Sequence, residues 1–245
     1  MGVRIDPVVR VELLARIIRA VELGAGGMIC NVNVHALNLA WEDAEFRTIL
    51  NRSDLVFIDG FGVQLGARWN RMRIGERLTP ADWIDELFAT CAQRGWSVFW
   101  LGDTEKVGAD FERELARRHP NCQLAGRHHG FFEKAGPQND AVIHRINQSA
   151  AKIVLVGMGM PLQEKWISAN RHRIDSPVHL SVGGLARIYT GAIPRGPRWM
   201  TDNGLEWLYR LAMQPRHTWR RYVIGNPLFL TRLILIRLAI LKSPE

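Results

Sequence analysis

A chain of 245 residues with 47% hydrophobic and 23% charged side chains is long enough for one large α/β domain, or for a domain of about 190 residues with an appendage, and its balance excludes a disordered protein. Three cysteines far apart, Cys30, Cys91 and Cys122, with no CxxC pair, give neither a disulfide framework nor a structural zinc site and fit a reducing cytoplasm. The net charge of +8 is uneven: from Arg195 onward nine basic residues face three acidic ones, a net of +6 that leaves +2 for the first 194, so an anionic partner is met mainly by the tail.

The N-terminal stretch MGVRIDPVVRVELLARIIRA is broken by arginines and a glutamate and lacks the apolar core and cleavage site of a secretory signal, which predicts an amphipathic helix of the fold. Apolar, β-branched runs then recur at 28–34 (MICNVNV), 54–59 (DLVFID), 96–102 (WSVFWLG), 122–126 (CQLAG), 152–159 (KIVLVGMG) and 178–184 (VHLSVGG). Continuous apolar runs predict strands covered on both faces. Helical patterns such as ADWIDELFATCAQRG, EKVGADFERELARRHP and QNDAVIHRINQSA lie between them, each ending near Gly, Pro or a small residue. The alternation predicts an α/β fold, a Rossmann-like, mostly parallel sheet with helices on both faces.

After residue 194 the composition changes. GAIPRGPRW reads as a linker, and beyond it the β pattern gives way to an aromatic, basic, helical stretch. Residues 1–194 are therefore expected to form the Rossmann-like domain and residues 195–245 a small helical appendage. Its last apolar run, PLFLTRLILIRLAIL, is interrupted by Arg232 and Arg237 and falls short of the roughly 20 apolar residues a bilayer span needs. An interfacial helix whose arginines reach phosphate headgroups is expected, since few carboxylates lie nearby to pair with them. The alternative is an amphipathic helix docked on the protein's own core.

In a parallel sheet ligands bind beyond the carboxyl ends of the strands. The polar and small residues there are Asn31, Asn33 and His35, Asp59 and Gly60, Gly102 and Asp103, Gly157 and Gly159, and Gly183 and Gly184. Glycines let a backbone approach a ligand, and helix N-termini favour phosphate. GxGxxG, GxxxxGK[ST] and GxSxG are all absent, which removes the usual support for dinucleotide, Walker-type and serine-hydrolase chemistry. Asp59 ends a buried strand, where it is either a functional carboxylate or the cap of the next helix. Asn31 and Asn33 are expected on one strand face, binding sugar hydroxyls or joining a buried hydrogen-bond network. Arg77 precedes a helix begun by TPAD. Gln163 and Glu164 open another, where Glu164 is also favoured by the helix dipole alone.

IDGFGV, GERLTPAD, WLGD, HHGFF, VGMGMPLQEKWI, VGG and PRGPRW…GLEWLYRLAMQPRHTWRRY stand in the order found in the WecG/TagA/CpsF family of bacterial glycosyltransferases, which the chain resembles from about Gly27 to Tyr222. The resemblance implies an inverting transfer of a hexose derivative from a UDP-sugar to a polyprenyl-diphosphate-linked sugar at the cytoplasmic face of the membrane, in surface-polysaccharide synthesis. It implies Asp59 as the base, and roles for Arg77, Gln163 and Glu164. It also implies a C-terminal appendage that attaches to an anionic membrane surface and lends arginines to the site. Position 31 carries Asn where the family usually has Thr, and Pro80 replaces a glycine of the element that ends in Asp82.

An acceptor hydroxyl attacking the anomeric carbon needs a base within hydrogen-bond reach, the role expected of Asp59. The departing diphosphate needs positive charge. No DxD occurs, so no metal and no other cofactor is expected, and Arg77 with Arg210, Arg216, Arg220 and Arg221 are the candidates. The alternatives are a basic nucleic-acid-binding protein and a non-catalytic membrane scaffold; the apolar tail speaks against nucleic acid as a partner. A homo-oligomer is compatible with the sequence.

Overall fold

The structure is a computed structural model that describes residues 1–24 and 27–244; Glu245, counted in the tail's charge, lies outside the described residues. The elements run α1 (Arg10–Leu23), β1 (Gly27–Val32), α2 (Val34–Glu42), α3 (Ala44–Arg52), β2 (Leu55–Ile58), α4 (Phe61–Trp69), α5 (Pro80–Arg94), β3 (Ser97–Gly102) and α6 (Glu105–Arg118). They continue with β4 (Gln123–His128), α7 (Gly136–Gln148), β5 (Ile153–Gly157), α8 (Leu162–Asn170), β6 (Val178–Ser181), α9 (Leu185–Tyr189), α10 (Arg198–Asp202), α11 (Glu206–Met213), α12 (Pro215–Trp219) and α13 (Gly225–Arg237).

The six strands form one sheet in the order β2-β1-β6-β5-β3-β4, parallel at every pairing, so the expected α/β Rossmann-like architecture is what the chain adopts. Alternate strand residues enter opposite cores: Val98 and Trp100 join the layer with α1 and α5, Phe99 and Leu101 the layer with α2, α3 and α8. From β1 the chain builds outward to β2, then crosses to β3 and β4 on the far side, and β5 and β6 fill the gap. Such a reversal of direction leaves a crevice at the carboxyl ends of the central strands.

Two local expectations change. The first strand stops at Val32, and Asn33 becomes the N-cap of α2, its Oδ1 accepting the Ala36 N–H at 3.1 Å. Asn31 and Asn33 therefore do not share a strand face, because capping α2 competes successfully for the second amide. The helix after Asp59 begins at a Gly60 N-cap with no side-chain cap, so Asp59 does not serve as its cap.

The tail is a series of short helices, and its last one packs on α2 and α4. Phe229 and Leu233 are buried in the core on that side. The fit against α4 is close at Gly66, where a Cβ would stand 2.5 Å from Leu233 Cδ1 and 3.1 Å from Phe229 Cζ. Arg232 is only 9% exposed and donates to both oxygens of Asn38, at 3.3 and 3.1 Å, and to Glu42 at 2.7 Å. Contrary to the expectation of unpaired tail arginines, this one has a carboxylate, brought to it by the folding of α2. Leu228, Leu230, Ile234, Leu238, Ile240 and Leu241 stay exposed. Among the described residues no helix is long and apolar enough to cross a membrane.

Candidate active site

Two cavities open at the carboxyl ends of the strands. The larger, of about 960 Å³, has one wall from the sheet (Asn31, Asn33, Asp59, Gly60), one from Arg77 to Ala81 and one from the tail, including Glu206, Arg210 and Arg221. The smaller, of about 680 Å³, lies over β3 and β5 between Asp103, Lys134 and Arg187. Gly159, Gly183 and Gly184 line both, so these loops form a ledge between them. The sheet edge and the tail, far apart in sequence, meet over one hollow.

Asp59 follows the last residue of β2, its N–H fixed on the Val32 carbonyl at 2.8 Å. Burial pushes its pKa above the usual carboxylate range; a Thr79 hydrogen bond and the charges of Arg210 and Arg221 pull the other way, and Glu206 adds to the rise. Its carboxyl is therefore a stronger base than a solvated one, with cations close by. His35 lines the same cavity and is kept neutral, burial and then Arg221 lowering its pKa to about 4. Asn31 is 3% exposed and its Oδ1 has no hydrogen-bond partner among the described residues. A buried acceptor without a partner is costly, and a ligand hydroxyl in the cavity would satisfy it.

Arginines gather beside Asp59 around two carboxylates. Arg77 lies 3.6 Å from Asp82 and 3.5 Å from Glu206. Arg195 lies 2.6 Å from Asp82 and 3.7 Å from Glu206, and Arg210 is 3.2 Å from Glu206. With Arg221 added, four guanidiniums face Asp59, Asp82 and Glu206, which leaves positive charge for an anion. Sequence reasoning missed Arg195 as a member of this group and Glu206 as its hub; the only available signal was their place in PRGPRW and GLEWLYR. Of the arginines expected here, Arg216 and Arg220 line neither cavity, and Arg220 lies over the Trp219 ring instead.

The remaining expected residues divide by role. Gly102 and Gly157 allow two strands to close up: a Cβ on Gly102 would stand 2.3 Å from the Gly157 carbonyl oxygen. Gly157 also lines the smaller cavity, whereas Gly102 lines neither. Asp103 holds Arg187 in a two-point pair at 2.5 and 2.7 Å, so its carboxylate is engaged and Arg187, unforeseen in the sequence, is aimed along the cavity wall. Gln163 and Glu164 are 0% exposed and line neither cavity. Among the described residues no three His, Cys, Asp or Glu side chains are grouped to hold a metal ion.

Comparison with known proteins adds identity to this geometry. The family model described as glycosyl transferase WecG/TagA/CpsF matches residues 1–243. The chain is 27% identical over 219 residues, 88% of its length and 82% of the relative's, to a Staphylococcus aureus (strain MRSA252) protein named N-acetylglucosaminyldiphosphoundecaprenol N-acetyl-beta-D-mannosaminyltransferase. It is 28% identical over 196 residues, 80% of its length and 75% of the relative's, to a Bacillus subtilis (strain 168) protein of the same name.

Proposed function

This chain belongs to the WecG/TagA/CpsF family of glycosyltransferases, and from that premise we propose that it moves a hexose derivative, with inversion, from a UDP-sugar to a polyprenyl-diphosphate-linked sugar, with Asp59 as general base. The relatives' names point to N-acetylmannosamine as the first donor sugar to test and to a diphosphoundecaprenol-linked N-acetylglucosamine as the acceptor. The carrying observation is that Asp59 lines a cavity shared with an arginine cluster and joined through three glycines to a second cavity.

In the proposed step the acceptor hydroxyl oxygen attacks the anomeric carbon from the face opposite the nucleotide. Its proton passes to the Asp59 carboxylate while the bond from carbon to the diphosphate oxygen breaks. Asn31 Oδ1 accepts from a sugar hydroxyl. The charge on departing UDP is met by Arg77, Arg210 and Arg221, prearranged by Glu206 and Asp82 so that little reorganisation is needed. The smaller cavity, with Arg187 and Lys134 in its wall, suits the nucleoside end of the donor, whose diphosphate would cross the glycine ledge toward the arginines. The larger one also takes the lipid-linked acceptor, whose apolar part would lie along Leu208, Leu211 and Leu230.

The exposed apolar residues of the tail, interleaved with arginines, support peripheral attachment to the cytoplasmic face of an anionic membrane, where the acceptor's lipid resides. Incubation with UDP-N-acetylmannosamine and a short-chain polyprenyl-diphosphate N-acetylglucosamine, with EDTA present, is expected to yield a β-linked disaccharide lipid. A retained anomeric configuration would overturn the single-displacement scheme, and no transfer from any UDP-hexose would overturn the donor assignment. Liposomes containing anionic lipid are expected to float the full chain and not a chain ending at residue 194.

A further inference from the structure

The ledge between the cavities is held by two side chains that no ligand can reach. Gln163 Oε1 accepts two backbone N–H groups from different loops, Gly159 after β5 and Gly183 after β6, each at 3.1 Å. The Gln163 N–H also returns to the Gly159 carbonyl at 3.0 Å. The other end of the amide, Nε2, donates to Glu164 Oε1 at 2.7 Å. Glu164 Oε2 has no hydrogen-bond partner among the described residues.

An amide presents one acceptor end and one donor end. Turned over, the Gln163 amide would set its N–H groups against two more N–H groups and lose both loop bonds, and it would keep a bond to Glu164 only from a carboxyl that carries a proton to donate. The loop N–H groups and Glu164 together decide which way the amide faces, and the amide decides how far apart the two glycine loops stand. The same bonds occupy the Gly159 and Gly183 N–H groups, so neither is free to donate to a phosphate, and these glycines offer the donor shape rather than hydrogen bonds.

We propose that Gln163 and Glu164 form a positioning pair that touches no substrate and sets the spacing of the Gly159 and Gly183 loops on which the donor rests. This deepens the glycosyltransfer proposal and rests on it for the identity of the donor. Glu164→Gln keeps an acceptor oxygen for Gln163 Nε2 and preserves the device, whereas Glu164→Met and Gln163→Met remove it.

Amide hydrogen exchange followed by NMR, together with calorimetric titration of UDP, separates the possibilities. In the wild-type protein the Gly159 and Gly183 amides are expected to exchange as slowly as neighbouring strand amides, despite lying in loops; rapid wild-type exchange overturns the proposal without any variant. In Glu164→Met and Gln163→Met these two amides are expected to exchange faster while β1 and β3 amides do not, and UDP affinity to fall on the order of tenfold, as two lost hydrogen bonds would give. Glu164→Gln is expected to keep both properties within about twofold of wild type. A uniform rise in exchange over the whole sheet, or equal loss in Glu164→Gln and Glu164→Met, would reduce the pair to ordinary core residues and overturn it. Localised loosening with UDP affinity unchanged would leave the brace standing as architecture and refute its role in donor placement, and a wild-type protein that binds no UDP would overturn the glycosyltransfer reading instead.

Discussion

Replacing Glu164 by glutamine should stabilise the protein at alkaline pH and have little effect near pH 4. Glu164 is 0% exposed, and burial raises its pKa from 4.5 to about 7, against the opposing hydrogen bond from Gln163. Between those two values the folded chain keeps a proton that the unfolded chain has released, so stability falls as pH rises through this window and levels off above the folded pKa. Each tenfold difference in proton affinity is worth about 1.4 kcal/mol, so ionising Glu164 in the fold costs roughly 3 kcal/mol by pH 8. Glutamine has no such cost and retains the acceptor for Gln163. Urea unfolding of both proteins from pH 4.5 to 8.5 should show the variant gaining on the wild type across that range and then holding a constant lead. A difference independent of pH would refute the assignment of a buried, reluctantly ionised carboxyl.

Gly66→Ala would push a methyl group to 2.5 Å from Leu233 Cδ1, and an overpacked contact of this kind costs about 1–3 kcal/mol; trypsin should cut the tail faster, and wild-type resistance would show that α13 is not tightly seated. Arg232→Met strands the Asn38 oxygens that the guanidinium serves, a loss of about 1–3 kcal/mol in urea unfolding, and an unchanged midpoint would count against the buried contact. The pH profile of kcat/KM should fall on its acid side at a pKa above the ordinary 3.8 of an aspartate, because burial raises that of Asp59; a limb at or below 3.8 would point to a different group.

The inner strands were legible because both faces of the sheet are covered there, which writes continuous apolar runs such as KIVLVG and VFWLG instead of alternation, whereas β4, expected to be covered as well, lies at the sheet edge and has no fully buried residue. Asp59, Gly60 and the paired glycines were legible from their place at strand ends. The helices α2 and α3 were not singled out: VHALNLAWE packs on the sheet and also beneath α13, so its apolar residues blur the one-sided helical period. Neither was the arginine cluster fully visible. Arg195 and Asp82 meet across 113 residues, and nothing local in either segment announces the other. Asn33 was misplaced on a strand because capping depends on where the helix starts, which propensity fixes only to within a few residues. Gln163 and Glu164 drew attention through their motif, but a motif does not say that both side chains turn inward.

Transfer by Asp59→Asn bears most directly on the account, provided the same preparation is tested for binding. The amide preserves shape and removes the base, so UDP affinity should stay near wild type while transfer from UDP-N-acetylmannosamine to the lipid-linked acceptor falls by about 10²–10⁴. An Asp59→Asn protein that binds UDP and transfers at the wild-type rate would contradict it.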